Sequence, residues 1–347
     1  MKKSRVLWVG ISLCLLTIFL IPRIGESKDF VTAYASTTLE IAEKLAKQIE
    51  EKTGVEVRFR YHSCGEINAK VKAEAPNFQS DMLLLVCSPE MTDFKDQGWL
   101  IPYDSPVTKQ VKKDWGTANK KFVEDPSHTM LISDFWHFVL VGNPKLLAAK
   151  GYTMPESWTD LLDPKWKDQL VMPSPLTSGT AFMMLFSFIT EYGFNAKKGE
   201  QGGWDFLKAL DKNMNQYTRS GNAPTDLVSR GEFILAIAGD ENVPVRKRQG
   251  YQFVTKIPKE GTGYDAHFSG ILKGTKKLAA AQKVIDYLAG DEHAKMMAEW
   301  GYVSGSTKYP SQYGLKPPHY IANIDPEWAI KNKTRLCNEW KDKFLRK

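Results

Sequence analysis

Short apolar runs alternate with helical patterns along the first ninety residues. "DFVTAYAS" from Asp29 and "VEVRFRYH" from Val55 are rich in β-branched and aromatic residues and predict strands. "DMLLLVC" from Asp81 is continuously apolar, which is typical of a strand buried on both faces. Between them, "LEIAEKLAKQIEEKTG" from Leu39 and "EINAKVKAEA" from Glu66 carry apolar residues at helical spacing. The order β-α-β-α-β favours a parallel sheet covered by helices.

A second set of elements interrupts this pattern. "HFVLVGNP" from His137 and "MPESWTDLLDPKWKDQLVMPSP" indicate a crossover, and "FILAIAG" predicts another buried strand. The helices "KLAAAQKVIDYLAG" and "DEHAKMMAEWG" then resume the first pattern. We predict an α/β protein in which lobe 1 comprises residues 28–138 and 266–347 and lobe 2 comprises residues 139–265. Two or three chain crossings would form a hinge, with a ligand cleft at the carboxyl ends of the strands.

The first 27 residues have the pattern of a secretory signal peptide. A basic start precedes an uncharged run of 16 residues, Val6 to Ile21, and small residues precede a cleavage site after Ser27. An uncleaved membrane anchor is the alternative, but the run is shorter than the ~20 residues of a spanning helix. We therefore expect an exported, periplasmic protein.

Composition and the expected export limit the possible binding partners and the possible states of the cysteines. A length of 347 residues and a hydrophobic content of 42% suit a globular protein of two domains, and a net charge of +7 without a basic arm argues against nucleic acid. Export permits disulfides. Cys64 and Cys87 each follow a predicted strand, and the strand from Asp29 is expected between those two strands. The two cysteines therefore either form a disulfide on the cleft floor or remain separate thiols.

The stretch "PESWTDLLDPKWKDQLVMPSPLTSGTAF" from Pro155 carries a family resemblance, supported by "SRGEFILAIAGDE", "EGTGYDAHFSGILKG" and "AQKVIDYLAGDEHAKMM". It resembles the periplasmic solute-binding proteins of ABC importers, in the cluster named for ferric-ion binding that also holds binders of phosphorylated sugars and phosphonates. The resemblance covers most of residues 29–310. It implies a type II two-lobe fold, each lobe an open, mainly parallel sheet flanked by helices, and a monomer that docks on an inner-membrane permease.

"SPLTSGTAF" is the first candidate for ligand contact. A helix is expected to begin near Ser178, and its unpaired N–H groups and partial positive charge favour an anion. Gly179 would let the ligand approach the backbone, and Thr177, Ser178 and Thr180 would add hydroxyl donors. The plain alternative is an ordinary N-cap.

Three other loops contribute candidates. Hydroxyls of Ser36 and Thr37 in "YASTTLE" would donate from the other lobe, although the same residues could simply cap the next helix. In "QYTRSGNAP", Arg219 and Ser220 would bind phosphate, unless Arg219 is a surface arginine. The last two candidates for ligand contact are Ser63 and Ser88, which precede Cys64 and follow Cys87 in the sequence.

The residues after "FILAIAG" discriminate between ligands. Ferric-ion binders of this family have adjacent tyrosines at the positions of Glu241 and Asn242, and their absence puts iron in doubt. Asp240 and Glu241 suit sugar hydroxyls or a ligand amine instead, although an exposed turn is the alternative reading. We expect a binder of a small phosphorylated solute, most simply a sugar phosphate. An aminophosphonate, or ferric iron with an anion, stays an alternative.

An enzyme is a poor alternative. The chain has neither a Gly-x-Ser-x-Gly elbow nor a metal-spaced histidine cluster, so no catalytic residue, cofactor or metal is expected.

Overall fold

The computed structural model describes residues 29–111, 113–115, 123, 125–310, 320–321 and 324–345. The signal peptide expected over residues 1–27 lies outside the described residues. Within the described part, no helix is both long enough and apolar enough to span a bilayer.

Within the described residues, ten strands form the sheet. They are β1 (Phe30–Ala35), β2 (Glu56–Tyr61), β3 (Met82–Cys87), β4 (Leu100–Ile101), β5 (Leu131–Gly142), β6 (Leu170–Pro173), β7 (Met214–Thr218), β8 (Leu235–Gly239), β9 (Val254–Lys256) and β10 (Tyr264–Leu272).

Helices flank the sheet. They are α1 (Leu39–Thr53), α2 (Cys64–Glu74), α3 (Ser88–Asp96), α4 (Pro144–Lys150), α5 (Gly179–Ile189), α6 (Gly199–Asp211), α7 (Ala223–Ser229), α8 (Asn242–Arg248), α9 (Leu278–Ala289), α10 (Asp291–Glu299) and α11 (Pro326–Phe344).

The strand order is β2-β1-β3-β10-β5-β8-β6-β7. β1 is parallel to β2 and β3, and β6 is parallel to β7 and β8. In contrast, β10 is antiparallel to both β3 and β5, and β5 is antiparallel to β8. The predicted α/β fold is confirmed, with parallel pairing in each outer part and antiparallel strands where the two parts join.

β5 is the strand that connects the two parts of the sheet. Its residues up to His137 pair with β10, and those from Phe138 onward pair with β8. The change of partner lies beside the predicted lobe boundary at residue 138, and β10 begins beside the boundary at residue 265. The bounds of the lobes themselves stay a prediction.

Burial follows the apolar pattern of the sequence. α1 buries Ile41, Leu45 and Ile49 and ends at Gly54, whose φ of 74° lies in the left-handed region that glycine tolerates. Leu39 has the same spacing but is 61% exposed, because it is the first residue of the helix. Every residue of β3 is buried, as its continuous apolar run predicts.

Candidate functional site

Loops from both parts of the sheet surround one cleft of about 540 Å³. One side is formed by the residues that follow β1, β2 and β3, and the other by the first turn of α5 and the segments after β7 and β8. The residues assigned to the ligand site from the sequence that line this cleft are Ser36, Thr37, Ser63, Thr177, Ser178, Gly179, Thr180, Arg219, Ser220 and Glu241. Their contact with a ligand stays a prediction.

Among the described helices that begin at the cleft, three have a hydroxyl side chain as N-cap. Thr38 is the N-cap of α1, Ser63 of α2 and Ser178 of α5, and each hydroxyl accepts a backbone N–H from the first turn. All three caps line the cleft. A capped helix still leaves other N–H groups of its first turn unpaired and carries partial positive charge at this end. The three helix ends therefore add partial positive charge to a cleft whose lining includes a single arginine and no lysine among the described residues.

Two threonines of the "LTSGT" turn have different roles. The Thr177 hydroxyl donates to the Arg219 carbonyl oxygen at 2.7 Å, which ties the turn to the loop after β7. The Thr180 hydroxyl has no hydrogen-bond partner among the described residues and lines the cleft. Thr180 is thus the hydroxyl of this turn that is free to donate to a ligand.

On the opposite side, Thr38 caps α1, so the capping alternative does not apply to Ser36 and Thr37. The Ser36 hydroxyl lies 3.1 Å from Cys64 Sγ. Cys64 and Cys87 are joined in a disulfide, and both line the cleft. A thiol donor is therefore absent at Cys64, and Ser36 donates to the sulfur.

The structure gives a second reason for a glycine at position 179, besides the expected approach of a ligand. A Cβ atom at this position would lie 3.2 Å from Cys87 Sγ and 3.5 Å from Cys87 Cβ. The missing side chain therefore accommodates the disulfide on the other side of the cleft, rather than only an incoming ligand.

Arg219 extends from the loop after β7 at the mouth of the cleft. Its side chain is 85% exposed, and its Nη2 atom lies 3.7 Å from Glu66 Oε1 on the opposite side. An exposed pair of this kind contributes little stability. Arg219 is therefore free to exchange Glu66 for an anionic ligand.

The two acidic candidates are separated by the structure. Asp240 does not line the cleft, because its oxygens accept from the backbone N–H of His137 at 2.8 Å and pair with His137 Nδ1 at 2.9 Å. In this structure Asp240 therefore orients His137 outside the cleft lining, whereas the sequence analysis placed it in the ligand site. Glu241 lines the cleft, and its buried Oε2 atom has no partner among the described residues. Burial, reinforced by the charge of Asp240, raises the pKa of Glu241 to about 8.

Ser88 also lies outside the cleft lining, unlike the position expected from the sequence. It is completely buried at the start of α3, and its hydroxyl donates to Asp265 on β10. Because this hydrogen bond directs the hydroxyl to β10, Ser88 does not contribute to the cleft lining. Burial raises the pKa of Asp265 to about 7.

Several residues of the cleft lining were not predicted from the sequence, and His267 and Tyr302 are two of them. His267 Nδ1 lies 2.8 Å from the buried carboxylate of Asp134. Burial opposes the charged form of His267, but Asp134 outweighs it and raises the pKa of the imidazole. The alternation of polar residues inside the buried run "YDAHFSGIL" was a usable signal for His267, whereas Tyr302 had none.

One group of described residues has the spacing of metal ligands, but its chemistry does not suit a metal ion. Within the described part of the chain, Cys64, Cys87 and Glu90 place potential ligand atoms within 4.8 Å of one another. The two sulfurs are bonded to each other and are therefore not the thiolates that a metal requires.

Comparison with known proteins identifies the family of this chain. The family model for bacterial extracellular solute-binding proteins matches residues 80–329. An uncharacterised protein of Haemophilus influenzae is 27% identical over 328 residues, covering 91% of each chain. A putative 2-aminoethylphosphonate-binding periplasmic protein of Salmonella typhimurium is 24% identical over 334 residues, covering 91% of this chain and 89% of that protein.

A solved structure is also similar. The periplasmic binding protein AfuA from Actinobacillus pleuropneumoniae, with exogenous fructose-6-phosphate bound, superposes with a TM-score of 0.80 at 27% identity. The alignment covers 92% of this chain and 99% of AfuA.

Proposed function

Because this chain belongs to the bacterial extracellular solute-binding proteins, which are transport components and not enzymes, we propose that its cleft captures a small phosphorylated solute. The favoured ligand is a sugar phosphate. The protein would deliver it as a monomer to the permease of an ABC importer in the inner membrane.

The convergence of three helix N-termini on one cleft is the observation that carries the proposal. α1, α2 and α5 each begin there, and the hydroxyls of Thr37 and Thr180 are without partners among the described residues. Backbone N–H groups, hydroxyl donors and the positive ends of helix dipoles together suit a phosphate or phosphonate group. Arg219 adds a cation at the mouth that can pair with the same group.

The acidic part of the cleft supports a hydroxylated ligand. Glu241 has an unpaired oxygen, and His267 and Tyr302 lie beside it in the same lining. With a pKa of about 8, Glu241 is mostly protonated at neutral pH and can both donate to and accept from hydroxyl groups. The fructose-6-phosphate bound to AfuA is an example of such a ligand in a similar structure.

An aminophosphonate is the second candidate, because the Salmonella relative carries that name and an ionised Glu241 would pair with an ammonium group. Ferric iron fits less well. Tyr302 is the tyrosine near Glu241, and burial holds its pKa well above its ordinary value, so that it remains a phenol rather than a phenolate ligand.

Native mass spectrometry of the exported protein, followed by calorimetric titration, tests the proposal. We expect a co-purified or added phosphorylated compound, with fructose 6-phosphate and 2-aminoethylphosphonate as probes and ferric citrate as the comparison. Glu241→Gln should retain fructose 6-phosphate but weaken 2-aminoethylphosphonate, because the amide cannot ionise. A strong visible charge-transfer band with ferric citrate, and no binding of either phosphorylated probe, would overturn the proposal.

A further inference from the structure

The Cys64–Cys87 disulfide lies within the cleft rather than in the surrounding core. Cys64 is the first residue of α2 and Cys87 is the last residue of β3, and both contribute to the cleft lining. In the sheet, β1 lies between β2 and β3, so the bridge passes over the end of β1 where Ser36 follows. It therefore connects two loops of the cleft across a third.

On the side of the cleft formed by the loops after β1, β2 and β3, the disulfide positions the Ser36 hydroxyl, a candidate donor to the anion. Ser36 Oγ lies 3.1 Å from Cys64 Sγ, and the backbone N–H of Cys87 donates to the same sulfur at 3.1 Å. Ser63, the cap of α2, directly precedes Cys64. The positions of Ser36 and of the α2 terminus consequently depend on the position of one sulfur atom.

On the other side, the disulfide supports the first residue of α5. The missing Cβ of Gly179 would lie only 3.2 Å from Cys87 Sγ, closer than nearly all real contacts of this kind. A neighbouring contact, between the Cβ position of Gly65 and the carbonyl oxygen of Thr177, measures 3.5 Å. The two sides of the cleft therefore meet at the disulfide.

We propose that the Cys64–Cys87 disulfide is a positioning element of the ligand site, against which the α5 terminus seats when the cleft holds its ligand. This inference rests on the proposed function, because it assumes that the α5 terminus binds the anion. The bonded sulfurs leave room for Gly179. Two separate thiols cannot approach to bonding distance, so reduction would push Cys87 Sγ toward Gly179 or Cys64 Sγ away from Ser36.

Reduction of the Cys64–Cys87 disulfide by a dithiol provides one test of this proposal. The dithiol's thiolate attacks one sulfur of the bridge and forms a mixed disulfide, and its second thiol then displaces the remaining cysteine thiolate. The S–S bond of the protein is broken, two cysteine thiols form after protonation, and the reagent leaves as a cyclic disulfide. Two electrons pass from the reagent to the protein.

A double-mutant cycle separates positioning from general stabilisation. Fructose 6-phosphate and 2-aminoethylphosphonate are titrated into wild type, Cys64→Ala/Cys87→Ala, Gly179→Ala and the triple variant. We expect the cysteine variant to bind about tenfold more weakly. Gly179→Ala should weaken binding several-fold with the disulfide present and hardly at all without it, because the added methyl group then occupies the space of the sulfur.

Cys337, the free cysteine of the described residues, provides the matched control. Dithiothreitol should weaken binding in Cys337→Ser as it does in wild type, and should not change binding in Cys64→Ala/Cys87→Ala. Equal effects of Gly179→Ala in both backgrounds, with only the melting temperature lowered by cysteine removal, would overturn the positioning role. If wild type binds neither probe, the proposed function fails as well.

Discussion

Thr180 allows the most direct test of the anion site, because Ser178 already caps α5 and the Thr180 hydroxyl is left for the ligand. Thr180→Val removes the hydroxyl and preserves the shape. Since a hydrogen bond to a charged group contributes about 1.5–3 kcal/mol, fructose 6-phosphate should bind about ten- to a hundredfold more weakly by calorimetry. Thr180→Ser, which keeps the hydroxyl, should bind nearly as wild type. Equal affinities of the two variants would place the anion elsewhere.

Glu241 makes the stability of the empty protein depend on pH. Its pKa rises from 4.5 to about 8, through burial and the charge of Asp240, while His267 acts in the opposite direction. Between these two pH values the unfolded chain releases a proton that the folded protein keeps, so stability falls as pH rises. At pH 8, urea denaturation of Glu241→Gln should therefore give a free energy of unfolding about 1–3 kcal/mol higher than that of wild type. At pH 4 the two proteins should be equally stable.

Glu66, at the rim of the cleft, should make stability depend on pH in the opposite direction in the same experiment. Hydrogen bonds from the Ser63 backbone and hydroxyl lower the pKa of Glu66. The stabilisation by its charged form is present above the unfolded pKa and is lost as pH falls through the folded pKa. Glu66→Gln should consequently be less stable than wild type at pH 7 and approach it in acid. A common direction for both variants would contradict the assignment of Glu241.

Among the helices, α11 connects elements that are distant in sequence. Lys333 pairs with the buried carboxylate of Glu90 on α3, whereas Arg335 pairs with Glu200 on α6 at 2.8 Å. Breaking a buried pair leaves a charge without compensation, which costs about 3–5 kcal/mol, but an exposed pair contributes at most about 1 kcal/mol.

Chemical denaturation of two variants checks this difference. Lys333→Met should lose about 3 kcal/mol or more, and Arg335→Met about 1 kcal/mol or less, on the same helix. Adding Glu90→Gln to Lys333→Met should restore most of the loss, because the uncompensated charge is removed. Equal losses from the two single variants would mean that the buried pair is solvated.

The elements around the cleft were predictable because their signals are local. Apolar spacing located α1 and β3, and the hydroxyl-glycine turn located the start of α5 at Ser178. The buried pairings of Asp240 with His137 and of Ser88 with Asp265 join residues more than a hundred positions apart. No local pattern encodes such pairs, so the sequence did not predict that Asp240 and Ser88 lie outside the cleft lining.

Across the molecule, β5 and β10 are the strands through which the two parts of the sheet are joined. The cleft sides already touch through Gly179 and Cys87, and Arg219 approaches Glu66 at 3.7 Å. The charged pair is exposed and therefore contributes little to holding the cleft sides together without a ligand. A ligand that contacts both sides would shift the population toward this arrangement.

Small-angle X-ray scattering measures that shift. Saturating fructose 6-phosphate should reduce the radius of gyration of wild type toward the value calculated from this structure, with a larger value in its absence. Gly179→Val is the matched variant, because its side chain would meet Cys87 Sγ where a Cβ alone already approaches to 3.2 Å. It should retain the larger radius at every ligand concentration, while its unliganded melting temperature stays near that of wild type since Ser178 still caps α5. Identical scattering of wild type with and without bound ligand would show that the cleft does not close.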